Sequence, residues 1–427
     1  MSLRRRLGRG VRRAVGPLCL AIGLAPEPAD AEVPAADDHL LGDIAGLRPF
    51  LAQYGASVEL TETSELLGNL TGGMRQGAIY EGLTEMSLTL DLRPRFGWPG
   101  VIRADALQIH GRGLTANNIG NLDTVSNIEA RATTRLRELW YEQDIGDWLH
   151  LRIGEQSADR EFLVSSTAQV LVNGTFGWPT LPATDLPAGG PAYPLGTPAV
   201  RLRLDAGGAL AWYTGAFNGN PAGGGLGDPQ RRDPSGTAFR TNDGVLALTE
   251  LRYNPGSSPD NGTYRLGGWY NSEPFRDQHL PLSHSGDFSL YGVVDQPLVS
   301  SEGGGQLSAF VRAMGAPGDR NLVDLYLDGG LAYKGPFGRK DDTVALGFAY
   351  ARIGSAARSR DAEMGAPVRS SERLVELTYQ AQLTPWWQLQ PDLQYIVNPG
   401  GGVLNPLQPE SRIGDALVLG LRTQITF

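Results

Sequence analysis

The 427-residue sequence contains a single cysteine, Cys19. One thiol excludes a disulfide framework and any cysteine-based zinc site. Lysine is nearly missing as well. Lys334 and Lys340 are the only two, and every other basic side chain is arginine. No run of eighteen apolar residues occurs, which excludes a bundle of transmembrane helices. The 37 basic residues are outnumbered by 46 acidic ones. That balance argues against a nucleic-acid partner, which demands a basic stripe to neutralise phosphates. Five histidines are present, His39, His110, His150, His279 and His284, and none has metal-ligand spacing. Gly223-Gly224-Gly225 and Gly303-Gly304-Gly305 lack the Lys-Ser/Thr that completes a phosphate cradle. No metal and no organic cofactor are expected.

Punctuation, by contrast, is abundant. With 57 glycines and 29 prolines, the chain disfavours long helices and favours many strands joined by turns. The first residues read as an address. Arg4, Arg5, Arg6, Arg9, Arg12 and Arg13 form a basic region, residues 15–25 are apolar, and Ala29-Asp30-Ala31 is a small-x-small cleavage site. This is the layout of a secretory signal peptide over 1–31, and its apolar part is too short to span a membrane. A disordered basic tail is the plainer alternative. Removing 1–31 also removes Cys19.

Residues 32–55 form a separate N-terminal segment. Leu40, Ile44, Leu47, Leu51 and Tyr54 recur at three-to-four spacing. Pro49 suits a first helical turn and Gly55 a stop, so a short amphipathic helix is expected there. After Gly55 the period changes to two. Leu149, Leu151 and Ile153 alternate with His150, Arg152 and Gly154. The same pattern recurs at 87–93, 200–205, 245–253, 264–271, 307–312, 325–334, 344–350, 375–383 and 387–395, and it ends on Leu419, Leu421, Ile425 and Phe427.

Such strands have one apolar and one polar face. The polar faces carry charge, so a second dry layer is not expected on that side. Aromatic residues gather at segment ends: Trp140 with Tyr141, Trp269 with Tyr270, Trp386 with Trp387, Tyr395 and Phe427. They suit the interfacial girdles of a membrane barrel. A sheet that spans lipid must close on itself, because every backbone polar group needs a partner inside the protein. The fold class is therefore all-β, a transmembrane antiparallel barrel occupying 56–427. Gly/Pro/Asp-rich stretches at 177–198, 218–243, 254–262 and 354–370 read as loops, and the first of these is either folded into the lumen or left outside.

Several stretches carry a family likeness. They are Leu41-Gly42-Asp43 with 46–51, Gly120-Asn121-Leu122, 135–143, Phe176-Gly177-Trp178-Pro179, 385–401 and Leu419-Gly420-Leu421-Arg422 with the terminal Phe427. On these residues the chain resembles the carbohydrate-selective porins of Gram-negative outer membranes, the OprB type, over roughly 40–427. Ile44-Ala45 and Arg137 depart from the usual pattern. The resemblance implies sixteen strands, a short N-terminal helix and passive uptake of sugars. It also implies that Phe427 is the signal read by the outer-membrane assembly machinery.

A pore performs no covalent chemistry, and its selectivity comes from width, charge and hydrogen-bonding groups at the narrowest point. With the apolar faces toward lipid, the inward set comprises Asp91, Arg93, Arg152, Arg201, Arg203, Glu250, Arg252, Arg265, Arg312, Glu376, Asp392 and Arg422, with Trp269 on the parity of Arg265. Arginine suits sugars because its planar fork donates several fixed hydrogen bonds and stays charged. Trp269 could stack on a sugar face. The plainer reading is that inward charges pair with one another to fill a polar barrel. Expected partners are outer-membrane lipid, small carbohydrates and the assembly machinery, with self-association left open. A barrel hydrolase and a soluble exported sugar-binding β-protein are the alternatives. The scattered histidines disfavour the first, and detergent-free release of the protein would favour the second.

Overall fold

The computed structural model describes residues 38–255, 261–301 and 305–427. The leader assigned to 1–31 lies outside the described residues. Helix α1 (Leu47–Ala52) leads into strand β1 (Ala56–Gly73). Then follow β2 (Gly77–Asp91), β3 (Gly100–Gly111), β4 (Thr133–Ile145), β5 (Leu149–Gln156), β6 (Thr197–Asp205), β7 (Leu210–Asn218) and β8 (Val245–Tyr253). The second half comprises β9 (Thr263–Arg276), β10 (Ser283–Ser300), β11 (Gln306–Gly315), β12 (Val323–Lys334), β13 (Thr343–Ile353), β14 (Ser371–Thr384) and β15 (Trp387–Val397). A small separate hairpin, β16 (Leu404–Asn405) with β17 (Gln408–Arg412), precedes the last strand, β18 (Gly414–Thr426).

Each strand except those of the small hairpin pairs antiparallel with its sequence neighbours, and β18 pairs with both β15 and β1. The result is a closed barrel of sixteen strands. Closure removes every sheet edge, which a spanning sheet in lipid requires. At the seam Leu66 faces Leu421, and Glu65 faces Arg422 in the adjacent register. Helix α1 lies at the same seam. Arg48 donates to the Val58 carbonyl at 2.9 Å and to the carbonyl of Phe427.

Connections alternate in length. The turns at 146–148, 206–209 and 385–386 share one end with both strand termini of the chain. The long segments 112–132, 157–196, 219–244, 354–370 and 398–413 share the other. Short turns mark the periplasmic end of such barrels and long loops the outer face. The outward rows are apolar and exposed, among them Leu66, Leu88, Leu266, Leu290, Leu346 and Leu419. No helix among the described residues is long and apolar enough to cross a membrane, so the strands do the crossing.

The inner surface departs from the sequence expectation. One side of it is dry. Phe162, Leu163, Leu171, Phe176 and Leu181 of the loop 157–196 are buried against Phe217, Leu246, Leu248, Val293, Phe310 and Met314 of the wall. Phe162 meets Phe217, and Phe176 meets Phe310, edge-on at 6.1 Å. Each such ring or leucine contributes about 1.5–3 kcal/mol by leaving water. Gly347 makes room for them, because a Cβ there would lie 2.7 Å from Leu171 and Phe176. Two of the girdle aromatics are also corrected. Trp140 and Trp269 point inward and are buried, and only Tyr270 of the second pair is exposed on the outer surface.

Candidate channel constriction

Two outer loops enter the lumen, 112–132 and 157–196. Their backbone amides and carbonyls leave water there and must find partners. Charged wall residues supply them. Arg312 donates to the carbonyls of Leu163 at 2.7 Å, Thr175 at 2.8 Å, and Phe176 and Gly177 at 3.2 Å. Its Nε reaches both oxygens of Asp328 at 3.2 Å. Glu376 accepts from the amides of Val172 at 2.5 Å and Asn173 at 3.0 Å. Glu250 accepts from the Leu163 amide at 3.0 Å, and Asp295 from the Thr167 amide at 3.0 Å. On the first loop, Glu372 accepts from the amides of Leu122 and Asp123, Gln394 donates to the Val125 carbonyl, and Arg422 donates to Asn127. Charge-assisted bonds of this kind are about twice as strong as neutral ones.

The remaining wall is charged and only partly covered. The loop 157–196 begins there with Asp159-Arg160-Glu161, in and just after a single 3-10 turn, Ala158–Arg160. Asp159 accepts from Arg137 at 2.9 Å and from the Tyr193 amide at 2.8 Å. Arg160 turns to the acids of β2–β4: Glu85 at 2.6 Å, Asp105 at 2.8 Å and Glu138 at 3.5 Å. Glu161 turns to the arginines of β5–β6: Arg201 at 2.8 Å and Arg152 at 3.2 Å. Burial would raise the Glu161 carboxyl, but Arg152, Arg201 and Arg252 outweigh it and hold the group at about 2. Burial would likewise lower the Arg160 guanidinium, yet its acidic neighbours Glu85 and Asp105 carry it well above its ordinary range. Glu142 bridges Arg152 at 2.8 Å and Arg201 at 2.5 Å. Arg152 lies over the Trp140 ring at 4.0 Å, and Arg252 over Tyr213 at 3.5 Å. Stacking on the rings orients both guanidinium planes.

The residues singled out from the sequence fall into three places. Arg152, Arg201, Arg252, Arg265 and Glu250 gather along β5–β9, with Arg252 and Arg265 at 2.6 and 3.7 Å from Glu250. Asp91 and Arg93 sit at the periplasmic mouth, where Arg93 pairs with Asp91 at 3.3 Å and with Asp144. Arg203 pairs with Asp205 at 3.0 Å near the same end. Arg312, Glu376, Asp392 and Arg422 lie beneath the inserted loops. The first, second and fourth bind the loops directly, and Asp392 accepts from Gln394 at 2.8 Å. Trp269 is 3% exposed within the apolar cluster, so its face is covered where sugar stacking needs it open.

These features match a known class of protein. A family model described as "Carbohydrate-selective porin, OprB family" matches residues 75–427. The chain belongs to the OprB family. Porin B of Pseudomonas aeruginosa is 28% identical over 98% of both chains. The putative porin QuiX of Acinetobacter baylyi is 23% identical, over 91% of this chain and 93% of its own. The high-pH structure of Pseudomonas putida OprB covers 93% of this chain and 100% of its own, with a TM-score of 0.79 at 24% identity. The channel DcaP of Acinetobacter baumannii shares the fold at a TM-score of 0.53 and 10% identity.

This OprB-family protein is thus an outer-membrane porin for carbohydrates. Its closed barrel and apolar outer rows set aside the soluble alternative. Sequence reasoning missed Asp159, Arg160 and Glu161, together with Glu85, Asp105 and Glu138. The signal was a charged triplet directly after an alternating strand, in a stretch otherwise rich in small and apolar residues. Glu142, Asp144 and His150 bring potential ligand atoms within 4.8 Å of one another. Each already has a partner: Glu142 holds arginines, and His150 lies between Asp144 at 2.5 Å and Asp205 at 3.1 Å. The trio therefore belongs to the ion-pair network of the mouth.

Proposed function

We propose that neutral carbohydrates pass along the charged wall of β2–β8, in contact with Arg152, Arg160 and Arg252 and with the acids that face them, while buried Arg201 holds Glu142 and Glu161 in place. One observation carries this reading: arginines and carboxylates pair in nearly balanced number along that wall, the acids of β2–β4 with Arg160 and the arginines of β5–β6 with Glu161 and Glu142. A balanced passage offers little net field to an ion of either sign. It offers dense donors and acceptors to vicinal hydroxyls, which exchange bonds with the wall as they exchange them with water. Asp91, Arg93 and Arg203 serve as polar groups at the periplasmic mouth. Residues 1–31 direct export, and Phe427, whose amide donates to the Leu60 carbonyl at 2.9 Å, ends the strand read during assembly.

Liposome swelling tests the reading. Proteoliposomes should swell faster in a neutral monosaccharide than in a sugar acid or an amino sugar of the same size. Equal rates for all three would mean that the passage does not select for neutrality.

A further inference from the structure

The inserted loop 157–196 leaves a recess at the outer end of the barrel, on the side away from Arg160 and Glu161. Its short helix, Thr180–Asp185, packs on β12. An open cleft of about 350 Å³ lies between the end of that helix, the end of β9 with the turn after it, and the turn between β11 and β12. Small-molecule sites occupy about 300–1,000 Å³.

Two kinds of surface meet in the cleft. Pro187, Pro274 and Leu322 line one part with carbon, and polar side chains line the rest. Three of the polar groups are fixed by the protein itself. Asp185 accepts from the amides of Leu322 at 2.7 Å and Val323 at 3.3 Å. Arg320 donates to Asp319 at 2.9 Å and to the Gly286 carbonyl at 2.8 Å. Gln278 donates through Nε2 to the Arg320 carbonyl at 3.1 Å, and its backbone amide donates to the Asp319 carbonyl at 2.7 Å. Other groups are left open. The Oε1 of Gln278, the Thr184 hydroxyl and the guanidinium of Arg276 have no hydrogen-bond or ion-pair partner among the described residues. Held side chains lower the entropy lost when a ligand binds, and the open ones supply bonds to it.

A pyranose has the complementary pattern, with C–H groups on its ring faces and hydroxyls around its edge. The prolines and Leu322 suit a ring face. The planar ends of Arg276 and Gln278 suit neighbouring hydroxyls, the first donating and the second accepting through Oε1. We propose that this cleft is a capture site for monosaccharides at the outer mouth, separate from the charged wall of β2–β8. It rests on the reading that the barrel conducts carbohydrates, and it adds a place where a solute is held before it enters. Such a site concentrates sugar at the mouth when supply is scarce and saturates when sugar is plentiful.

Residues 32–427 contain no cysteine, so a single introduced thiol reports on the cleft. In the folded barrel, glucose should slow the reaction of Leu322→Cys with a charged maleimide, saturably. Gln408→Cys, on the small β16–β17 hairpin, should react at the same rate with and without glucose. Arg276→Ala with Gln278→Ala should raise the protecting glucose concentration about tenfold. Gln278→Ala alone, whose side chain bonds a single backbone carbonyl, should shift it in the same direction if the double variant does not fold. Protection absent at every glucose concentration, equal at both thiols, or unchanged by the substitutions would overturn the proposal. Liposome swelling in glucose is read on the same protein. Swelling without protection removes the cleft and leaves the channel, whereas a folded barrel that gives no swelling removes the channel reading and the capture role with it.

Discussion

Arg160 and Glu161 are consecutive in the chain yet bind opposite charges on different parts of the wall. Arg160 reaches Glu85 at 2.6 Å and Asp105 at 2.8 Å, while Glu161 reaches Arg201 at 2.8 Å and Arg152 at 3.2 Å. One peptide unit thereby fixes where the loop 157–196 enters the lumen and neutralises both patches at once.

Removing either partner should unbalance the passage in a known direction. Arg160→Ala takes the shared cation away from Glu85, Asp105 and Glu138, leaving Asp105 with Arg103 at 3.5 Å, and should make the channel cation-selective. Glu161→Gln leaves Arg152 and Arg201 with Glu142 as their one shared carboxylate and should make it anion-selective. Reversal potentials under a salt gradient measure both, and shifts of the same sign would contradict the clasp. Each change removes one side of a largely buried pair, so barrel stability should fall by about 3–5 kcal/mol in a denaturant series.

Loop insertion depends on Arg312. Arg312→Met keeps much of the volume but removes the donors to Leu163, Thr175, Phe176 and Gly177. The expected result is a larger single-channel conductance and faster entry of disaccharides. An unchanged conductance would show that the apolar contacts of Phe162 and Phe176 hold the loop alone.

The clasp also has a pH window. Its neighbours hold the Glu161 carboxyl at about 2, below its ordinary value of 4.5. A carboxyl depressed in the folded state contributes stability that is present above 4.5 and is lost as pH falls through about 2. The Glu161 contribution to conductance should therefore be flat from pH 7 to about 5 and change only in more acidic solution. Glu161→Gln removes that component. A wild-type minus Glu161→Gln difference that varies near neutrality would count against it.

Arg252 and Tyr213 set orientation as well as charge, with the guanidinium 3.5 Å from the ring centroid. Arg252→Lys keeps the charge but loses the planar fork that stacks and donates in one plane. Neutral-sugar swelling rates should fall while ion conductance holds. An equal fall in both would point to a collapsed passage.

Most of the barrel was legible in the sequence because lipid enforces period-two alternation. Strands β5 and β8 have the bounds of their alternating runs, Leu149–Gln156 and Val245–Tyr253. Strands β1, β3, β4, β7 and β10 were not among the alternating runs, and for β7 the reason is physical. Its inward Phe217 meets Phe162 of the inserted loop and its inward Tyr213 carries the Arg252 guanidinium, so aromatic rings stand where the inward row of other strands is charged. The same loop explains the dry inner side, which wall charges alone did not foretell. The proline-rich part, 177–198, was recognised as loop, but the insertion starts at 157, where no proline marks it. Arg160 and Glu161 were invisible as pore residues because their place depends on Glu85, Asp105, Arg152 and Arg201, which come from other strands. Inward parity was correct for Arg312 and Glu376, yet parity does not say what covers a side chain.

Planar-bilayer recording of the folded wild-type barrel bears most directly on the whole account. Discrete current steps should appear, and a neutral monosaccharide in the bath should lower the open current reversibly and saturably as it occupies the arginine and acid wall. A heat-modifiable, folded barrel that gives no steps, or a current indifferent to sugar at every concentration, would contradict it.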